Sequence, residues 1–424
     1  MSYKSIAKEI FSDALEASLP KNFVGKYCQL DGNVLSVCSD NYDLGKYKNI
    51  YVFGSGKAAF TMAEELEKLL KQKIYKGLVV APEYRNGLER IELCVGSHPL
   101  PTQKSFDSTT KLLEMMRECD EDDLFIYLLS GGSSALIELP IEPISLEDMQ
   151  ETTGFMLHNA LDIHEINTVR KHLSQIKGGR LAQVCKAQGV VLVISDIIDN
   201  DLYSIGSAPL YGDRTTYQDA KDILEKKDIF YSMPSSVQEV LEKGISSLID
   251  ETPTNEKENI KHYIIASNTL ALDAAQKSAI AKGLKVEKVN EPMEGDVSLM
   301  VDKMIKHIDS SSHQCILFGG ECTVNVDGDG QGGRNQHAVA LMLQKIYTEK
   351  LDMTFLSAST DGIDGNSDAA GAVIDAQSYI ESRELDKKIE NFDSYNLFKG
   401  MNSLVMSGAS GTNVIDIAIL IKGE

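Results

Sequence analysis

Residues 50–70 read IYVFGSGKAAFTMAEELEKLL. A short apolar run ends in the glycine turn Gly54-Ser55-Gly56-Lys57, and a longer helical pattern follows at once. Strand, tight turn and helix in that order form the repeating step of an α/β fold. The step recurs in LFIYLLSGG with its following polar loop and helices, in VVLVISD, in YIIASN with TLALDAAQKSA, in CILFGG and in TFLSAST. This alternation predicts α/β layering around a largely parallel sheet. Ligands of such sheets bind beyond the carboxyl ends of strands, where loops and helix N-termini offer backbone N–H groups. The polar joints are therefore the candidate site: Gly54–Lys57, Ser130-Gly131-Gly132-Ser133-Ser134, Ser195-Asp196, Ser267-Asn268, Gly319-Gly320-Glu321 and Thr360-Asp361-Gly362.

At 424 residues the chain exceeds the usual size of one hydrophobic core, so more than one domain is expected. The clearest break is DETPTNEKENIK, 250–261, which predicts domains over 1–250 and 261–424. A hydrophobic fraction of 42% and a mean hydropathy of -0.17 exclude both a disordered chain and a membrane protein. With 63 acidic against 42 basic residues the net charge is -21, which argues against nucleic acid and anionic membranes as partners. Any small anion must then meet a local positive site. The seven cysteines are scattered without a C-x-x-C pair and read as reduced, mostly buried thiols. The amphipathic, acidic N-terminus does not read as a signal peptide, and no long apolar span is present, so a cytoplasmic setting is expected.

Each joint allows a chemical and a structural reading. Gly54-Ser55-Gly56-Lys57 can set backbone amides and one ammonium beside an anion, or it is a tight turn with a solvated lysine. It lacks the spacing of a Walker A loop, and Ala58 offers no hydroxyl for Mg²⁺. SGGSSAL, 130–136, suits an anion nest or an ordinary turn, and does not match the G-x-S-x-G nucleophile elbow. NTVRKHLSQIKGGRLA, 167–182, gathers Arg170, Lys171, His172, Lys177 and Arg180 as a ligand-facing basic patch or a solvated helix face. Its Gly178-Gly179 pair inside a helical pattern suggests that something approaches closely there. DGDGQGGRNQ, 327–336, satisfies G-x-G-x-x-G, but Asp327 and Asp329 would oppose a pyrophosphate. It fails as an EF-hand because Ala338 stands at the twelfth position. What remains is a glycine loop delivering Arg334 and Asn335 at a helix start. In STDGIDGNSDAAGA, 359–372, Asp361, Asp364 and Asp368 share one loop that suits Mg²⁺, a proton acceptor or an Asx turn. The eight histidines show no zinc-ligand spacing.

Taken in order, FGSGKAA, SHPLP, LLSGGSSAL, INTVRKHLSQIKGGRLA, VISDI, IIASN, GGECTV, GQGGRNQ, STDGIDGNSDAAGA and SGASGTNV resemble the ATP-dependent glycerate 2-kinase family. The resemblance runs from about Ile50 to Ile421. It implies an N-terminal Rossmann-like domain, a C-terminal MOFRL-type α/β domain and an active site in the inter-domain cleft. It further implies phosphoryl transfer from ATP, with Mg²⁺, to the 2-hydroxyl of D-glycerate. By the same resemblance Lys57 and Arg334 would neutralise the transferring phosphate, Asp196 would orient Lys57, and Asp361 would activate the hydroxyl or position the metal. Gly54, Ser55, Gly56, Ser130, Gly131, Gly132, Ser133, Ser134, Asn268 and Asn335 would contact nucleotide or substrate.

The chain departs from the family pattern at Thr102, at Ala208 in Ser207-Ala208-Pro209-Leu210, at His337 after GGRNQ, and at Ala409 in Ser407-Gly408-Ala409-Ser410. These positions put the acceptor in question, and another small hydroxy acid or aldonate is the alternative. The G-x-G-x-x-G match supports a second alternative, an NAD(P)H-dependent hydroxypyruvate reductase. A noncatalytic sugar-acid binding protein is a third.

Overall fold

The computed structural model describes residues 2–423, and these fall into two compact units that cross the expected boundary. One unit is Val24–Ile194 with Asn200–Ile265, and the other is Met1–Phe23, Ser195–Asp199 and Ala266–Glu424. These compact units do not follow a single cut over 250–261. That polar stretch is a strap laid on the first unit, because its chain atoms find partners there. Pro253 O accepts from Asp213 N at 2.7 Å, Asp250 O from Arg180 Nη2 at 2.9 Å, and Lys257 Nζ donates to Cys185 O at 2.6 Å. The expected first domain also loses its opening helix. Tyr3–Ala17 buries Ala7, Ile10, Phe11 and Ala14 within the C-terminal unit and pairs Glu9 with Lys282 at 2.6 Å.

The first unit is built on a six-stranded sheet in the order Ile91–Val95, Lys76–Ala81, Ile50–Ser55, Leu124–Leu129, Gln188–Ile194 and Ile260–Ala266. The first five strands run parallel. Strands 50–55 and 124–129 are buried at every residue, as expected of a parallel sheet covered on both faces, and this explains their unbroken apolar sequence. YIIA, expected to open the second domain, is instead the edge strand of this sheet. A helical layer formed by Leu146–His158, Ile163–Leu173, Tyr217–Lys226 and Ser235–Ile245 has its own core around Met156, Val169, Tyr217, Leu224 and Leu241. An antiparallel meander over residues 28–43 completes the unit.

The C-terminal unit carries a seven-stranded mixed sheet. Cys315–Thr323 pairs in parallel with Val286–Lys288 and Met293–Asp296, and antiparallel with Asp416–Lys422. Met353–Ser359 and Gly371–Asp375 continue the antiparallel side. The largely parallel sheet therefore describes the first unit alone. Helix Arg334–Glu349 packs Val339, Leu343 and Ile346 into a core with Phe318, Phe355 and Leu420, so its first residues emerge beside the strand ends. Among the described residues no helix is long and apolar enough to cross a membrane. All seven cysteines are free and six are buried, with burial pushing the Cys28 thiol up to about 12.

Candidate active site

In the first unit, two of the expected loops interlock around Lys57. The Lys57 N–H donates to Gly131 O at 2.8 Å, and the Ala58 N–H donates to Ser130 Oγ at 3.0 Å. Gly56 has φ +132°, and a Cβ there would lie 2.1 Å from Ser130 Oγ. Gly132, at φ +80°, would bring a Cβ within 3.2 Å of Lys57 Cγ and 3.1 Å of His98 Cδ2. Lys57, His98 and the SGGSS turn thus border one another at the strand ends. Gly56→Ala is expected to destabilise the protein by about 2 kcal/mol or more, through the forbidden contact and the lost left-handed freedom. Urea unfolding checks this, and a midpoint equal to wild type would show that the loops need no glycine.

Several expected ligand contacts prove to be internal. Gly54 lies inside its strand, where a Cβ would sit 2.8 Å from Leu128 O. Ser55 Oγ is 2.6 Å from Ser133 Oγ and 2.7 Å from Tyr127 OH, and all three groups are buried. Ser130 is buried and holds Ala58, so these three serine hydroxyls fasten the loops together. Ser134 is more open, and accepts from Ser207 at 2.8 Å in a contact that also involves Asn167 Oδ1 at 2.9 Å. Asn167 and Ser207 were not among the predicted site residues, although a buried Asn within a helix whose side chain reaches another loop is a signal in itself. Gly206, Ser207 and Ala208 are all left-handed, with φ +60°, +59° and +53°. For the two residues that carry a Cβ this costs roughly 1–2 kcal/mol each. The backbone is held there by Gly178 and Gly179, whose N–H groups reach Ser207 O and Ala208 O at 3.1 and 2.7 Å. The close approach suggested by that glycine pair is therefore made by the chain itself.

Lys171, His172, Lys177 and Arg180 of the basic stretch are likewise engaged internally, which corrects their reading as a ligand-facing patch. Lys171 pairs with Asp213 at 3.1 Å, fully buried His172 with Glu251 at 3.0 Å, and Lys177 with Glu138, while Arg180 caps Lys171 O and Ser174 O. Burial raises the Glu251 pKa, but hydrogen bonds from His172 and from the backbone of Tyr217 and Thr252 outweigh it and hold the carboxyl at about 2. A depressed carboxyl stabilises the fold above its unfolded value of 4.5, and that contribution is lost as pH falls toward 2. Between pH 5 and 3, wild type should therefore lose more stability than Glu251→Gln in urea titrations. Parallel pH profiles would contradict this linkage.

The C-terminal unit holds the remaining candidates. Arg334 starts its helix with Nε 2.6 Å and Nη2 3.0 Å from the Asp416 carboxylate, and Nη1 2.8 Å from Glu321. Burial opposes the charge, yet Asp416 and Glu321 outweigh it and raise the guanidinium pKa. Asp364 accepts from Asn335 N at 3.1 Å and Gln336 N at 2.8 Å at this helix start, and burial lifts its carboxyl to about 6. Asn335 is buried, and its Oδ1 accepts from Ser357 Oγ at 2.6 Å. Asn268 donates to Val414 O at 2.9 Å and Asp416 O at 3.0 Å, spending both amide hydrogens inside the fold. Asp361 accepts from Ser359 Oγ at 2.8 Å and Ile363 N at 3.0 Å in an Asx turn after strand 353–359. Asp196 lies just after strand 188–194, in the short segment grouped with this unit. The glycines of DGDGQGGR approach the chain itself: a Cβ on Gly330 would meet Asn391 O at 2.3 Å, and one on Gly333 would meet Asp364 Oδ1 at 2.3 Å. That packing accounts for the G-x-G-x-x-G pattern without a dinucleotide.

The class defined by these features is an α/β protein of two units with cationic side chains at strand-end loops. Residues 6–242 match a family model described as a domain of unknown function, DUF4147, and residues 314–416 match the MOFRL family. The chain is 35% identical to the glycerate 2-kinase of Pyrococcus horikoshii, over 99% of this chain and 98% of that protein. It is 33% identical to the D-glycerate 2-kinase of Thermotoga maritima, over 99% and 98%. The solved structure of a glycerate kinase from Thermotoga maritima superposes with a TM-score of 0.83 at 32% identity, covering all of both chains. The chain belongs to the glycerate kinase family with a MOFRL domain.

Proposed function

We propose that the protein is an ATP-dependent kinase that phosphorylates the 2-hydroxyl of D-glycerate in the cytoplasm. The observation that carries this reading is the interlocked pair of loops around Lys57, in a chain similar over its whole length to glycerate 2-kinases. Phosphoryl transfer asks the protein mainly for alignment and charge neutralisation. Lys57 and Arg334 serve as the cations acting on the transferred group. Asp416 fixes the Arg334 fork with two hydrogen bonds, and the Nη1 edge beside exposed Glu321 is the part that turns to phosphate. Asp196 orients Lys57 in this scheme, and Asp361 activates the substrate hydroxyl or positions the metal.

Among the described residues no three His, Cys, Asp or Glu side chains gather into a metal cage. Mg²⁺ commonly takes one or two carboxylates and reaches a site on substrate phosphates. Asp361 is the carboxylate this chain would contribute, and the ion would supply charge neutralisation on the phosphates. ADP release with ATP, Mg²⁺ and a panel of D-glycerate, L-glycerate and longer aldonates, followed by assignment of the phosphorylated carbon, tests the reading. A preference for D-glycerate with phosphate on carbon 2 is expected. Turnover confined to a longer aldonate, or phosphate on carbon 3, would replace the substrate or the regiochemistry.

A further inference from the structure

A cavity of about 450 Å³ opens in the C-terminal unit, with Val324, Val326, Gly333, Arg334, His337 and Phe392 on its wall. Its size falls within the roughly 300–1,000 Å³ typical of small-molecule sites. Two features make it a chemical site rather than a packing gap. His337 is 5% exposed, and its Nδ1 is buried without a hydrogen-bond partner among the described residues. Its ring stacks on Phe392, with centroids 4.8 Å apart and planes 20° from parallel. Buried polar atoms are rarely left unpaired, so an orphaned ring nitrogen on a cavity wall points to a ligand group.

The wall also discriminates between ligand classes. Its cation, Arg334, is held by Asp416 on one edge and has Nη1 beside exposed Glu321. Burial holds the His337 imidazole below its ordinary value, which keeps the ring neutral near pH 7. Val324, Val326 and the His337–Phe392 stack suit a flat, neutral heterocycle that carries its own hydrogen-bonding edge. We propose that this cavity is the nucleoside subsite of the phosphoryl donor, with a purine base against the His337–Phe392 stack and phosphates leading toward Arg334. The proposal rests on the kinase reading and deepens it, because it places nucleoside recognition in the C-terminal unit and makes His337 a specificity-determining residue.

The test uses the full chain and two variants. His337→Phe keeps a ring in the stack but removes its nitrogens, and Val326→Trp fills the cavity from a position that is 59% exposed in wild type and so tolerant of change. Each should raise KM for ATP tenfold or more and change KM for D-glycerate less than twofold. Calorimetric titration with ADP alone, without acceptor, should show the same loss of affinity. A rise in the D-glycerate KM with unchanged ADP affinity would assign the cavity to the acceptor and overturn the proposal, as would no change in either. Wild type that binds ADP but turns over no acceptor would defeat the kinase reading while leaving the subsite measurable.

Discussion

Lys57→Ala should fold like wild type and lose about 10³-fold in kcat, because removing one preorganised group that neutralises transition-state charge costs on this scale. The side chain is half-buried at the mouth of the sheet, with Cγ 3.2 Å from where a Gly132 Cβ would sit. Its backbone N–H, not its ammonium, makes the bond to Gly131 that closes the loop. Truncation therefore keeps the turn and removes the charge. Circular dichroism and the melting temperature should stay close to wild type, since substitutions outside packed cores usually move stability by about 0.5 kcal/mol or less. The ATP and D-glycerate KM values should change far less than kcat, the mark of an interaction made mainly in the transition state. Turnover near wild type would remove Lys57 from the chemistry.

Strand 50–55, its glycine turn and the helix behind it are neighbours in sequence, so apolar runs and glycines were enough to place them. The central strands 124–129 and 188–194 were legible for the same reason, being buried along nearly their whole length. What escaped depends on partners far along the chain. Helix 3–17 reads as part of the first domain until Asp13 is seen against Ser278 and Glu9 against Lys282. The polar stretch 250–261 has the composition of a linker, but its carbonyls and lysine complete hydrogen bonds left open by segments some seventy residues earlier.

The site was legible in outline and less so in its roles. Glycine and serine at strand ends mark backbone approach, yet which group approaches is set by the fold. Gly56 and Gly132 are needed beside Lys57, whereas Gly330 and Gly333 are needed against Asn391 and Asp364. Ser55 and Ser133 look alike in sequence to any ligand-binding serine, and only their mutual contact shows that their hydroxyls fasten the two loops. His337 stood out as a departure from the family pattern, but its unpartnered nitrogen and its stack on Phe392 required the three-dimensional arrangement.

The largest effect on stability is expected at Lys177, a residue whose charge looked available to ligands. It is fully buried, its ammonium is bonded to the Glu138 carboxylate and 3.2 Å from Ile137 O, and Glu138 also receives the Ser174 hydroxyl at 2.6 Å. Burial pushes the Lys177 ammonium below its ordinary value even with Glu138 beside it. Lys177→Met should cost about 3–5 kcal/mol, because it removes the counter-charge from a buried carboxylate and leaves it only the neutral donors Ser174 Oγ and Leu139 N among those described. Adding Glu138→Leu should recover most of the loss, since a buried pair replaced by apolar groups of similar volume is often neutral. Urea midpoints for the two single variants and the double variant at pH 7 measure each claim. A single variant within about 1 kcal/mol of wild type would mean that water reaches the pair, and Lys177 would then be available to a ligand after all.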